Sequence, residues 1–206
     1  MSSSHLRRAA PRGWWLMMVL ATGVAGYGLS FSWRGIDAFG IELLASFYQR
    51  PWAIWLHFMF GPVALIAGAL NFRHAIRRSR PAIHRKLGEV YVLSALVTGL
   101  AGGWLALHAF GGLNTRLGFS GLAIATLITT GMAYRTVRAR DFVAHRRWMI
   151  RSYAMILAAV TLRIHLPLLA MYFQAFDPAY QVVAWSCWVP NLLVAELVVR
   201  KTPHVA

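Results

Sequence analysis

Two stretches of the chain begin alike: "IHRKLGEVYV" (83–92) and "AHRRWMIRSYA" (144–154), each setting a histidine and two cations before an apolar run. His84, Arg85 and Lys86 in the first, and His145, Arg146, Arg147 and then Arg151 in the second, offer donors and positive charge to an anion. If the runs are helices, these cations stand at the positive end of the helix dipole, which attracts anions and disfavours cations. Lipid phosphate, or an anionic ligand between the helices, would offset that cost, since basic side chains beside anionic lipid gain about 1 kcal/mol each. Fixing the orientation of the helices is the plainer role for the same residues.

A second chemistry rests on histidines within the apolar runs. At 1.5 Å per residue, His57 falls about 9 Å in from one end of its helix, His165 reaches a similar depth, and His108 stands at the end of its own. Two imidazoles facing each other across a four-helix core can ligate the iron of a b-type haem, so His57 with His165 or His108 is a candidate axial set. A two-haem arrangement fits worse. His84 to His108 and His145 to His165 span about 36 and 30 Å of helix, which leaves His84 and His145 at the membrane boundary. The alternative reading of His57 is a hydrogen-bonded interior histidine. No H-x-x-x-H spacing occurs and Cys187 is the single cysteine, so no zinc site, internal disulfide or iron–sulfur centre is expected.

Arg163 is the most demanding charge. It lies about 23 Å along its helix, in hydrocarbon, where an unpaired arginine costs several kcal/mol. Asn191, Asp177 or a ligand anion matches it in depth. Glu196 and Glu89 fall nearer the twin openings, with Arg151 and Arg147 as expected partners.

These residues must be held by membrane helices. The 206 residues are 58% hydrophobic and 13% charged, against roughly 45–50% and 25% in soluble domains. The excess of 21 basic over 6 acidic residues fits basic loops of a multi-pass protein, and no soluble stretch is long enough for a nucleic-acid-binding domain. About 20 apolar residues cross the hydrocarbon. Six segments qualify: 13–33, 51–72, 87–109, 118–138, 148–173 and 181–199, with a kink or tilt expected at Pro167 in the fifth. Seventeen of the 21 basic residues fall on one side: Arg7, Arg8 and Arg12; Arg73, Arg77, Arg78, Arg80, Arg85 and Lys86; Arg135, Arg138, Arg140, Arg146, Arg147 and Arg151; Arg200 and Lys201. The other side holds Arg34, Arg50 and Arg116 with Asp37, Glu42 and Asp177. Trp14, Trp15 and Trp148 mark the first boundary, and Trp33, Trp52, Trp55, Trp185 and Trp188 the second. The expected fold is an all-α integral membrane bundle of six spans with both termini cytoplasmic, in a bacterial inner membrane. It comprises a basic tail (1–12), one transmembrane domain (13–200) and a short tail (201–206). The start, basic and then apolar with Gly23 and Ala25, also matches a cleavable signal peptide, but the run through Phe31 favours a retained anchor helix.

The openings form a short repeat, His84-Arg85-Lys86 with Tyr91 and His145-Arg146-Arg147 with Tyr153. Gly61, Gly68, Gly99, Gly102 and Gly103 permit close helix contact, and Gly111-Gly112 reads as a turn. Five stretches, "LHFMFGPVALIAGALNF" (56–72), "HRKLGEVYV" (84–92), "GFSGLAIATLITTGMAYR" (118–135), "HRRWMIRSYAMILAAVTLR" (145–163) and "CWVPNLLVAE" (187–196), together resemble the bacterial domain-of-unknown-function 2306 family of membrane proteins. The resemblance covers about residues 50–200 and implies topology more than activity. Its marked positions map onto His57, His84, Arg85, Gly88, Tyr91, His145, Arg146, Trp148, Arg151 and Arg163, while Glu89 stands where the resemblance implies a basic residue.

Two functions from different classes follow: a small b-type cytochrome built on His57, or binding or transport of an anionic lipid-like or small ligand by the Arg/His cluster and Arg163. A structural subunit without chemistry is a third. No nucleophile–base pair or carboxylate dyad argues for an enzyme. The expected partners are the bilayer and its anionic phospholipids.

Overall fold

The computed structural model of the chain describes residues 12–34 and 50–201, and the described residues contain helix and turn without strand. Arg7, Arg8, Asp37 and Glu42, invoked above for the charge asymmetry, lie outside the described residues, as do residues 202–206. The helices are α1 (Arg12–Arg34), α2 (Pro51–Asn71), α3 (His74–Ser79), α4 (Pro81–Ala106), α5 (Gly112–Arg138), α6 (Phe142–Ile156), α7 (Ala158–Phe173), α8 (Phe176–Ser186) and α9 (Val189–Arg200). Among the described residues six stretches are long and apolar enough to cross a membrane: α1, α2, α4, α5, α6 with α7, and α8 with α9.

Local chemistry sets the boundaries. Pro51 and Pro81 open α2 and α4, positions where a missing N–H costs nothing. Gly111 and Gly112 turn the chain into α5 at φ 85° and 82°, left-handed values that suit glycine. Asp141 caps α6, its carboxylate accepting from the Ala144 N–H at 2.9 Å. An acidic cap therefore answers the dipole at the second opening. The first has no side-chain cap.

Two spans are interrupted. The fifth breaks at Leu157, whose carbonyl accepts from the Val160 N–H at 2.9 Å and the Thr161 hydroxyl at 3.3 Å in a tight turn. Pro167, where the sequence suggested the kink, sits well inside α7. The sixth breaks at Cys187–Trp188, with Pro190 in the first turn of α9. Cys187 is buried.

The helices pack in a chain, α1 on α2, α2 on α4, α4 on α5 and α5 on α6, and α8 closes against α5 and α7. The central seam is built from small residues, among them Ala64, Ala67, Ala95 and Ala133, which let the backbones approach. Gly68 of α2 faces the rings of Tyr91 and Tyr153, leaving no room for a Cβ. Polar groups tie the seam internally. Ser152 of α6 lies 2.7 Å from the Tyr91 hydroxyl of α4 and 2.7 Å from the Thr130 hydroxyl of α5, and all three residues are fully buried. The Tyr153 hydroxyl donates to the Leu65 carbonyl at 2.9 Å.

At the basic end, the Trp14 indole N–H donates to the Ala69 carbonyl at 2.9 Å and Arg73 stacks over the same ring at 5.1 Å. This is the anchoring expected of an interfacial tryptophan.

Candidate membrane-embedded ligand site

The half of the bundle away from the twin openings encloses a cavity of about 590 Å³, lined from α1, α2, α4, α5, α6, α7 and α8. Its origin is compositional. Gly61, Gly99, Gly102, Ala106, Ala123 and Ala159 face it and occupy little volume, while Phe31, Phe58, Phe119 and Tyr180 hold the helices apart around it. The wall is predominantly apolar, with a few polar groups that converge, the usual character of a ligand pocket.

His57 is the first of these polar groups. Its Nδ1 lies 3.2 Å from the Thr98 carbonyl. A carbonyl only accepts, so Nδ1 carries a proton there. Gly102 makes room for the ring, since a Cβ there would stand 3.0 Å from it, and Phe58 meets it edge-on at 5.7 Å. Thr98 contributes a second group: its buried hydroxyl has no hydrogen-bond partner among the described residues and belongs to a residue lining the cavity.

Arg163 is the third, and among the described residues the only cation lining the cavity. One guanidinium N–H donates to the Ala159 carbonyl a turn earlier at 3.2 Å, and the group lies 6.0 Å from the centre of the Tyr27 ring across the α7/α1 seam. Neither residue expected from depth supplies a partner. Asn191 instead donates to the Ala154 carbonyl at 3.3 Å and bonds Thr161, bracing the break between α6 and α7. Asp177 accepts from Gln181 at 3.3 Å. Among the described residues no carboxylate lies within ion-pair distance of Arg163.

The structure does not assemble the histidine pair. His165 turns its Nδ1 toward Ser186 at 3.4 Å, and His108 bonds the Trp104 carbonyl at 3.0 Å and packs on that ring at 5.4 Å. Neither lines the cavity that holds His57. The residues present therefore do not fit a bis-histidine haem. Among the described residues no three His, Cys, Asp or Glu groups cluster as a metal site.

At the basic end the Arg/His cluster divides. Arg85, Lys86 and Arg146 are exposed, while His84, His145 and Arg147 are half-buried. The His145 Nδ1 donates to the Ala133 carbonyl at 2.9 Å. Arg151 is committed: it makes a two-pronged pair with Glu196, at 2.5 and 2.8 Å, and covers the Trp148 ring at 4.7 Å. Glu196 thus meets an arginine of this end as depth predicted. Glu89 does not; it is exposed and makes no ion pair among the described residues.

Sequence reasoning passed over Tyr27, Thr98, Thr130 and Ser152. One signal pointed to Ser152. The 61-residue register that matches His84 to His145 carries Tyr91 onto Ser152, and these two side chains touch.

A six-span helical bundle with an apolar cavity and a few converging polar groups is the class defined by this fold and site. The chain belongs to the DUF2306 family of predicted membrane proteins, whose pattern matches residues 54–199. That stretch contains His57, Arg163 and both openings. Neither a curated protein nor a solved structure matches the chain.

Proposed function

We propose that the protein binds an anionic, lipid-like ligand within the bilayer, with the ligand's negative group held by Arg163 and its apolar part in the cavity. One observation carries this reading: Arg163 lines an apolar cavity without a carboxylate partner among the described residues. A buried cation left so is costly, and a ligand anion would repay that cost. The exposed Arg85, Lys86 and Arg146 serve a different purpose, resting among anionic headgroups of a bacterial inner membrane with both termini cytoplasmic.

The test is co-purification. Protein extracted in neutral detergent should retain anionic lipid-like species, and Arg163→Gln should lose them while remaining folded. Arg146→Ala with Arg147→Ala should deplete loosely held anionic phospholipid only. Equal retention by wild type and Arg163→Gln would refute the proposal.

A further inference from the structure

The size and charge of the cavity narrow the ligand class, on the reading that Arg163 binds an anion there. The geometry points to a single-chain amphiphilic acid, a fatty-acid-like molecule that enters sideways from the bilayer between α1 and α7 and sets its carboxylate on Arg163.

Three features lead to this class. The first is size: a cavity of about 590 Å³ falls in the range of pockets that hold one small amphiphile. The second is charge. Among the described residues Arg163 is the single lining cation. It balances one carboxylate, whereas a phosphate monoester carries about −1.5 to −2 charges and would leave the excess in a low-dielectric site. With one edge engaged by the Ala159 carbonyl, the guanidinium still offers the planar fork that matches a carboxylate.

The third feature is access. Tyr27 of α1 lines the cavity yet is 49% exposed. α1 rests mainly against α2 and meets α7 narrowly, with Arg163 lying across that seam from Tyr27. Entry at this seam lies along the apolar lengths of α1 and α7, which favours a ligand dissolved in the bilayer over a water-soluble anion.

The experiment uses the full chain, delipidated in neutral detergent, titrated with palmitic acid, hexadecanol, hexadecyl phosphate and dipalmitoyl phosphatidic acid, with binding read by native mass spectrometry. Palmitate should bind about ten- to a hundredfold more tightly than hexadecanol, the worth of hydrogen bonds to one charged group. Arg163→Gln should remove that margin and leave the alcohol unchanged, Arg163→Lys should keep part of it, and Leu162→Trp, which fills the cavity, should weaken acid and alcohol together. If either phosphate binds more tightly than palmitate and is still lost in Arg163→Gln, the single-chain acid is overturned while the anionic-lipid reading stands. If Arg163→Gln changes the binding of no anionic probe, both are overturned.

Discussion

Replacing Ser152 by alanine removes one hydroxyl and disturbs three helices. Ser152 Oγ stands 2.7 Å from both Tyr91 Oη on α4 and Thr130 Oγ1 on α5. All three side chains are fully buried, so no water can replace a lost partner. In membrane bundles an interhelical hydrogen bond is worth about 0.6 kcal/mol on average and up to about 1.7. Two such bonds lost together give an expected destabilisation of about 1–3 kcal/mol for Ser152→Ala. Tyr91→Phe should cost less, about 0.5–1.5 kcal/mol, because Ser152 still bonds Thr130. The informative variant is the triple replacement Tyr91→Phe, Ser152→Ala, Thr130→Val. It leaves no hydroxyl stranded, so its cost should fall below the sum of the single costs by at least about 0.5 kcal/mol. Thermal unfolding in detergent, followed by the accessibility of buried Cys187 to a thiol reagent, measures wild type, the three single variants including Thr130→Val, and the triple variant. A Ser152→Ala protein as stable as wild type, or strict additivity in the cycle, would refute the reasoning.

Four shorter predictions follow from other contacts. Glu196→Gln breaks the two-pronged pair with Arg151 near the membrane boundary and should cost about 1–2 kcal/mol in the same unfolding assay, whereas replacing both residues by leucine should cost less than the single change. Gly68→Ala should destabilise by about 1–3 kcal/mol because its methyl group meets the rings of Tyr91 and Tyr153, while Gly88→Ala, with open space around it, should be neutral or slightly stabilising. Asp141→Ala removes the cap of α6 and should lower stability by about 0.5–2 kcal/mol, with Asp141→Asn recovering most of it. Protein made with ample haem should show no reducible Soret band; a reducible band abolished by His57→Ala would reinstate the cytochrome reading.

The six spans, the clustering of basic residues and the pairing of Glu196 with an arginine near the twin openings are all legible without a structure. Span length is set by bilayer thickness and charge placement by the cost of moving cations through it, and both leave marks in linear order. The repeat of the two openings was equally visible, but it was read as matching Tyr91 to Tyr153, whereas the residue that Tyr91 touches is Ser152. What lay beyond the sequence was the facing of each helix. In a soluble helix the apolar stripe tells which side is buried. Here lipid and core are both apolar, so the stripe is lost: Leu93 and Leu100 are 60% and 64% exposed on the same helix whose Tyr91 and Ala95 are wholly buried. Rotation about the axis then decides which polar residues share a cavity. It turns His57 and Arg163 into one cavity and leaves His165 and His108 outside it. It also commits Asn191 to the break between α6 and α7 rather than to Arg163. Depth along the membrane was written in the sequence; direction around each helix came from packing, because close contact at glycine and alanine, and not hydrophobicity, selects the interior of a membrane bundle.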